Sequence, residues 1–165
     1  MDTSISRHIR ADPRVIFDLA SEVQDWPRIL PHYRWVHVLA THGPEQRTVE
    51  MAARRDVLAG RVGFPLRWTA IETIFPAEHR IEFEHIGGIT RGMRVAWTIE
   101  HTAHHSAGVQ VRIRHAFEPH WPVPHVLVRL IVGEYFVNGV ARRTLRRIAE
   151  LAEARSRMLS LLEEA

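Results

Sequence analysis

The sequence predicts an α+β domain built from one strand, two short helices, six further strands and a long terminal helix. Between residues 33 and 117, apolar and polar side chains alternate in successive short segments, as in strands with one buried face. From residue 133 the period changes to that of an amphipathic helix. The later strands are separated by hairpin-length loops, which favours an antiparallel meander.

The first strand and both short helices are predicted before residue 32. Thr3–Ala11 alternates weakly and is read as a strand. Asp12 is an N-cap residue and Pro13 suits the first helical position, so a helix is expected over Pro13–Val23. Two prolines limit Asp25–Pro31 to about one helical turn, and its apolar side chains require it to pack against the domain.

The six later strands are predicted over Tyr33–Thr41, Thr48–Val57, Gly60–Thr73, Arg80–Ile86, Arg91–His101 and Val109–Phe117. A turn at Gly87–Thr90 and a short loop around residues 103–108 set the expected register of the last three strands. The opposed pairs would be Ile81–Trp97, Phe83–Val95 and His85–Met93, then Trp97–His115, Val95–Phe117 and Ile99–Ile113. Their side chains would face the interior.

The terminal helix is predicted over Gly133–Glu153. Its apolar side carries Val137, Val140, Ala141, Thr144, Leu145, Ile148, Leu151 and Ala152. A helix from residue 125 to 163 would be about 58 Å long, more than the width of such a domain. We therefore expect a break near Gly133, a core helix over about 134–155, and a helical tail over 156–165 that protrudes or pairs with another chain. One helix cannot fill the space under so large a sheet, which predicts a pocket.

The composition indicates a single domain, residues 1–165, long enough to bury roughly 70% of its unfolded surface. There is no cysteine, which excludes disulfides and thiolate metal sites. The polar start lacks the apolar core of a signal peptide, and the run 126–137 is too short to span a bilayer, so we expect a cytoplasmic protein. All 22 basic residues are arginines, with acids interspersed and no aromatic platform, so no nucleic-acid binding is expected.

Four segments resemble the SRPBCC superfamily, which includes START domains, coenzyme Q-binding proteins and bacterial polyketide cyclase/dehydrase proteins. They are VIFDLASEVQDWPRILPHYRWV at 15–36, RW at 67–68, RGMRVAWTI at 91–99 and GEYFVNGVARRTLRRI at 133–148. The resemblance covers nearly the whole chain and implies a helix-grip fold. In that fold a curved seven-stranded antiparallel sheet wraps around the C-terminal helix and encloses an apolar cavity, and no cofactor is implied.

The side chains expected to line the cavity and bind a ligand are Trp26, Tyr33, Met51, Arg55, Trp68, Phe83, His85, Met93, Val95, Trp97, Phe117, Val137 and Ala141. His115 is an imidazole on an otherwise apolar face, so it could act as a base, an acid or a hydrogen-bond anchor. It could equally be a core histidine bonded to a backbone or tyrosine partner.

Strand 60–73 has two interpretations, with either Trp68, Ala70 and Glu72 or the alternate residues pointing inward. The resemblance favours the first and places Glu72 near the pocket, where its carboxylate needs a partner such as Arg55. Glu72 is then either catalytic or part of a structural ion pair. Tyr33 matches a tyrosine of polyketide aromatase/cyclases, but the serine and arginine that those enzymes carry are Ala70 and Glu72 here.

Two functions follow from the sequence. The first is binding of a hydrophobic small molecule, such as a lipid, an isoprenoid or quinone, or a polyketide-like compound. The second is a cofactor-independent polyketide aromatase/cyclase in which His115, Tyr33 and Glu72 move protons. A third interpretation is a filled core and a protein that acts through its surface.

Other expectations concern metals and partners. His101, His104 and His105 cluster in a loop without a third-ligand pattern, so no functional metal site is expected. The arginines near residue 143 are read as a solvated helix face, which is compatible with a transient contact to a membrane surface or an acyl carrier. The oligomeric state is left open, a dimer included.

Overall fold

The computed structural model describes residues 2–57, 62–101, 108–117, 124, 126 and 139–163, without the side chains of residues 55–57, 62–65 and 163. The strands are β1 (Asp2–Ile9), β2 (Tyr33–Thr41), β3 (Gln46–Val57), β4 (Val62–Phe75), β5 (Arg80–Gly88), β6 (Met93–His101) and β7 (Val109–Phe117). The helices are α1 (Pro13–Ser21), α2 (Trp26–Ile29) and α3 (Arg142–Glu163), with 3-10 turns at Val23–Asp25 and Pro76–Glu78. Within these described segments, no helix is both long and apolar enough to cross a bilayer.

The seven strands form one antiparallel sheet in the order β1-β7-β6-β5-β4-β3-β2. Strands β2 to β7 follow one another as a meander, and β1 closes the sheet by pairing with β7. The curved sheet and the long C-terminal helix confirm the predicted α+β, helix-grip fold.

Helix α1 begins where the sequence predicts. The Asp12 carboxylate accepts a hydrogen bond from the Arg14 backbone N–H at 2.7 Å, and Pro13 occupies the first turn. The proline-bracketed segment after α1 packs into the core as expected. Trp26 is buried there, and its indole N–H donates to the Leu19 carbonyl at 3.1 Å.

The β5–β6 register confirms the predicted pairs Ile81–Trp97 and Phe83–Val95, and the regular ladder ends at Glu84–Arg94. The predicted turn at Gly87–Thr90 is wrong, because β5 continues through Gly88 and the turn covers residues 89–92. Gly88 has φ +83°, and a Cβ there would lie 2.5 Å from the Arg67 carbonyl oxygen. This glycine therefore allows a close approach to β4 rather than a turn.

The predicted β6–β7 register is wrong by two residues. The observed pairs are Met93–Phe117, Val95–His115, Trp97–Ile113 and Ile99–Val111. The ladder ends at His101–Val109, so the connection covers residues 102–108 and is longer than the short loop assumed. Because side chains alternate with a period of two, this offset leaves the same side chains on the inner face.

Helix α3 lies against the inner face of the sheet. Its buried side carries Thr144, Leu145, Ile148, Ala149 and Ala152. A wider helical turn at residues 139–141 precedes α3 and adds the buried side chains of Val140 and Ala141. The helix continues unbroken to Glu163, and its side chains are exposed from Arg157 to Leu162. The predicted break near Gly133 and the start of the core helix lie outside the described residues.

Candidate functional site

A pocket lies between the inner face of the sheet and the start of α3. It is lined by Trp26, Tyr33, Met51, Trp68, Phe83, His85, Val95, Trp97, Ile113, His115, Val140, Ala141 and Thr144. The empty space is about 410 Å³, part of it continuous with solvent, and about 40 Å³ can be reached by the centre of a water-sized molecule. That smaller volume is enough for at least one water.

Aromatic rings form much of the pocket wall. The Trp26 ring contacts three other rings of the wall. Its centroid lies 4.9 Å from that of Tyr33, 6.2 Å from that of Phe83 and 6.3 Å from that of Trp97. Trp68 stacks in parallel on His85, with 5.9 Å between centroids. Such a wall offers apolar faces to a flat or chain-like hydrophobic molecule.

Two neutral histidines interrupt this apolar wall. His115 is 2% exposed, its Nδ1 has no hydrogen-bond partner, and burial lowers its pKa to about 4. The Nδ1 of His85 lies 2.7 Å from the Thr90 hydroxyl, and burial together with nearby His115 lowers the His85 pKa to about 3. A buried polar atom without a partner costs about 1–3 kcal/mol, so a ligand group that reaches the His115 nitrogen would remove that cost.

Thr144 joins the pocket to a third buried histidine, His32. Its hydroxyl donates to the Val140 carbonyl at 3.0 Å and lies 2.9 Å from the Nε2 of His32. Burial raises the pKa of the hydroxyl of Tyr33, another residue of this pocket, far above its ordinary value. With its one proton given to Val140, the Thr144 hydroxyl accepts from the Nε2-protonated tautomer of His32.

Glu72 does not line this pocket. It is fully buried on β4 beside a groove that also contains Ser21 and Gln24, and its carboxylate forms an ion pair with Arg47. The Arg47 guanidinium also donates to the Ser21 carbonyl and, at 2.8 Å, to the Gln24 side chain. Burial raises the Glu72 pKa and the Arg47 contact opposes that shift. The arrangement ties the end of α1 to the sheet.

Arg55 is not the partner of Glu72, contrary to the prediction. In the β3–β4 ladder Arg47 lies directly opposite Glu72, whereas Arg55 lies opposite Phe64 toward the other end. The β3–β4 register therefore determines which arginine pairs with Glu72. The sequence did not reveal that register. The predicted inward direction of Trp68, Ala70 and Glu72 agrees with their burial at 3%, 0% and 0%.

The structure brings most of the predicted site residues to one pocket, and their roles in binding or catalysis stay predictions. Those along its wall are Trp26, Tyr33, Met51, Trp68, Phe83, His85, Val95, Trp97, His115 and Ala141. Met93 and Phe117 are buried in the core without being part of the lining. Val137 and the side chain of Arg55 lie outside the described residues.

The sequence did not single out Ile113, Val140 or Thr144 as lining residues. Ile113 belongs to the pocket because the true register places it opposite Trp97. Val140 and Thr144 were on the predicted apolar side of the helix, and that periodicity was the available signal. Among the described residues there is no group of three or more histidine, aspartate or glutamate side chains placed to hold a metal ion.

Comparisons with known proteins agree with this fold. The family described as "Polyketide cyclase / dehydrase and lipid transport" matches residues 9–142. Protein TTHA0849 from Thermus thermophilus superposes with a TM-score of 0.72 at 20% identity, covering 94% of this chain and 99% of that one. The Zhui aromatase/cyclase from Streptomyces sp. R1128 gives 0.69 at 17% identity, covering 94% of each chain.

A START superfamily protein from Mycobacterium smegmatis gives a TM-score of 0.61 at 19% identity, covering 96% of this chain and 98% of that one. No curated protein matches the sequence. At these identities the structural likenesses establish the fold. The family match spans most of the chain, and the protein belongs to the polyketide cyclase/dehydrase and lipid transport family.

Proposed function

We propose that this protein binds an uncharged hydrophobic small molecule in the pocket between the sheet and α3. Candidates are a lipid, an isoprenoid or quinone, or a polyketide-like compound. The observation that carries the proposal is the unpartnered Nδ1 of His115 in a wall made mostly of aromatic and aliphatic side chains. A ligand hydroxyl or carbonyl within reach of His115 would relieve the cost of that buried, unpaired nitrogen.

The absence of charge in the described part of the lining supports a neutral ligand. None of those lining residues is an arginine, aspartate or glutamate, and His85 and His115 are neutral at pH 7 because burial depresses their pKa. A ligand carboxylate would be buried there without a counter-charge, which is costly. The family description, which includes lipid transport, supports the hydrophobic character of the ligand.

The pocket has to widen on binding. The roughly 40 Å³ open to water-sized molecules is far below the several hundred Å³ of typical ligand sites. Side chains of the wall therefore have to shift when a ring or chain enters. The free energy of binding then comes from about 25 cal/mol per Å² of buried apolar area, less the cost of that rearrangement.

Two measurements test the proposal. Native mass spectrometry and solvent extraction would identify a molecule that copurifies with the protein. Calorimetry would then compare 2-naphthol with 2-naphthoate at pH 7, two probes of similar size that differ in charge. We expect 2-naphthol to bind at least tenfold more tightly, and Ala141→Leu, which fills the pocket, to abolish binding while the circular dichroism spectrum is kept.

Two outcomes of these measurements would contradict the ligand-binding proposal. If nothing copurifies and neither probe binds, the pocket is not a ligand site and the surface-acting interpretation replaces it. If both probes bind but Ala141→Leu binds them equally well, they occupy another part of the molecule. Either result contradicts the proposal.

A second candidate function is a cofactor-independent aromatase/cyclase. It is favoured because one pocket contains both a protonated hydroxyl, on Tyr33, and a neutral imidazole, on His115. His115 would remove a proton from the carbon next to a ketone, and that carbon would form a bond to a second carbonyl carbon. Tyr33 would stabilise and protonate the new oxygen, and loss of water would follow.

Turnover of a linear poly-β-ketone separates the two functions. Under the enzyme hypothesis, His115→Ala and Tyr33→Phe lose cyclised product while affinity for a non-reactive aromatic probe is retained. If the parent protein gives the same products as the uncatalysed reaction, the enzyme hypothesis is wrong for that substrate. Binding would then remain as the function.

A further inference from the structure

We propose that the solvent-facing side of α3 docks onto an anionic phospholipid surface, which is a function separate from whatever the pocket binds. This side, called the arginine face below, consists of Arg142, Arg143, Arg146, Arg147 and Arg157. At about 100° per residue the five arginines fall within an arc of about 140°. The opposite side of the helix is buried against the sheet.

Grooves lie on both flanks of the arginine face, and one of them adds a further positive charge. On one flank, a groove contains Arg7 of β1 together with Arg142, Arg143 and Arg146. On the other, a groove contains His32 beside Arg143, Arg146 and Arg147. Burial, with the nearby charges of Arg143 and Arg146, lowers the pKa of His32 to about 4, so His32 is neutral at pH 7 and adds no charge to this groove.

Acidic residues within the arc do not neutralise this charge. Glu150 is shared, lying 4.0 Å from the Nε of Arg146 and 3.1 Å from an Nη of Arg147. Glu153 accepts a hydrogen bond from the Arg10 backbone N–H at 3.2 Å. These two carboxylates of the described helix share the arc with the arginine face, and Arg142, Arg146, Arg147 and Arg157 outnumber them without counting Arg143.

Apolar side chains at the end of α3 favour a lipid surface over an acidic protein. Met158 and Leu161 are 57% and 68% exposed. At helical spacing Leu161 falls within the arc of the arginine face and Met158 at its edge, while the exposed Leu159 and Leu162 lie on the other side. Arginines that contact phosphates beside apolar side chains that enter the acyl boundary are typical of helices lying on anionic bilayers. An acidic protein surface would form ion pairs with the arginines but leave these apolar side chains exposed to water.

Vesicle sedimentation tests the proposal with the full-length chain. We expect binding to phosphatidylcholine vesicles containing 30% phosphatidylglycerol, no binding to pure phosphatidylcholine, and release in 0.5 M NaCl. The variant Arg142→Gln/Arg146→Gln removes two exposed guanidiniums and keeps good helix formers. It should weaken partitioning by about thirtyfold. Met158→Ser/Leu161→Ser should weaken partitioning while leaving its salt dependence unchanged.

A matched control removes the same charge elsewhere. Arg94→Gln/Arg112→Gln changes two exposed arginines on β6 and β7 and should retain most vesicle binding. The proposal is overturned if the parent chain does not bind anionic vesicles, if it binds neutral vesicles equally, or if the control variant loses as much as Arg142→Gln/Arg146→Gln. Binding of polyglutamate without vesicle binding would also overturn it and reassign the face to an acidic protein partner.

Discussion

Trp68 and His85 form an offset parallel stack in the pocket wall, with 5.9 Å between ring centroids and an interplanar angle of 2°. A bulge between β4 and β5 makes this possible, since Trp68 pairs with Gly88 while Ala70 pairs with His85. Gly88 presents no side chain opposite the indole, so the indole extends to the next inward residue of β5. One glycine thus determines the position of two pocket residues.

Gly88→Ala should therefore destabilise the fold. A Cβ would meet the Arg67 carbonyl oxygen at 2.5 Å, and the residue would keep an unfavourable φ of +83°. We expect the free energy of unfolding, measured in urea, to fall by about 2 kcal/mol or more. Gly43→Ala is the control, since Gly43 has φ +128° with nothing within 4 Å of the added Cβ. Equal losses in the two variants would show that the close approach to β4 contributes nothing.

His115→Leu should have opposite effects on stability and on affinity. Replacing a buried imidazole whose Nδ1 has no partner by an apolar side chain should raise the free energy of unfolding of the empty protein by about 1 kcal/mol. The same change should weaken 2-naphthol binding about tenfold, because the ligand hydroxyl loses its partner. Naphthalene, which lacks the hydroxyl, serves as the control ligand in fluorescence titrations. A similar loss for both ligands would contradict the assigned hydrogen bond.

Thr144→Val should unfold more easily than Thr144→Ser. Valine keeps the shape of the side chain but leaves the buried Nε2 of His32 without its partner. We expect a loss of about 2–3 kcal/mol in urea unfolding, whereas serine keeps the hydroxyl and should lose far less. If the two variants are equally stable, the hydrogen bonds around Thr144 do not contribute to the fold.

The protein should lose stability as the pH falls from about 6.5 to 4. His32 and His115 each have a folded pKa of about 4 and His85 one of about 3, all below the ordinary value of 6.5. The unfolded chain therefore takes up protons first, and the stability present above pH 6.5 is lost as the pH approaches the folded pKa values. Glu72 acts in the opposite direction, because burial raises its folded pKa.

His115 alone should account for on the order of 3 kcal/mol of the unfolding free energy that is lost over this pH range. Urea unfolding of the parent and of His115→Leu at several pH values would measure it, with exposed His101→Gln as the control. The slope should be shallower in His115→Leu and unchanged in His101→Gln. Identical slopes in all three proteins would mean that His115 is not held neutral by the fold.

Local patterns were enough to predict the elements of this fold. Asp12 with Pro13 marked the start of α1, and the alternation around Phe83 and Val95 placed these residues on the inner face. An error of two residues in the β6–β7 register did not change that face, since strand periodicity is insensitive to even shifts. The inner wall of the pocket was therefore predictable even where its pairing was not.

Long-range pairing was beyond the reach of the sequence. The partner of Glu72 is Arg47, 25 positions away in the chain, and only the β3–β4 register brings them together. In the same way, the contact between His32 and Thr144 joins residues 112 positions apart. Neither pair has a periodic signature, because each depends on how separate elements dock.

The pairing of β1 with β7 has a consequence for synthesis. Asp2 lies opposite Ala116, so the first eight strand residues have no sheet neighbour until more than a hundred further residues have left the ribosome. At about 5–20 residues per second the wait is several seconds or more, during which the strand Asp2–Ile9 stays a free segment. Strand β1 can therefore join the sheet only after β7 has been synthesised.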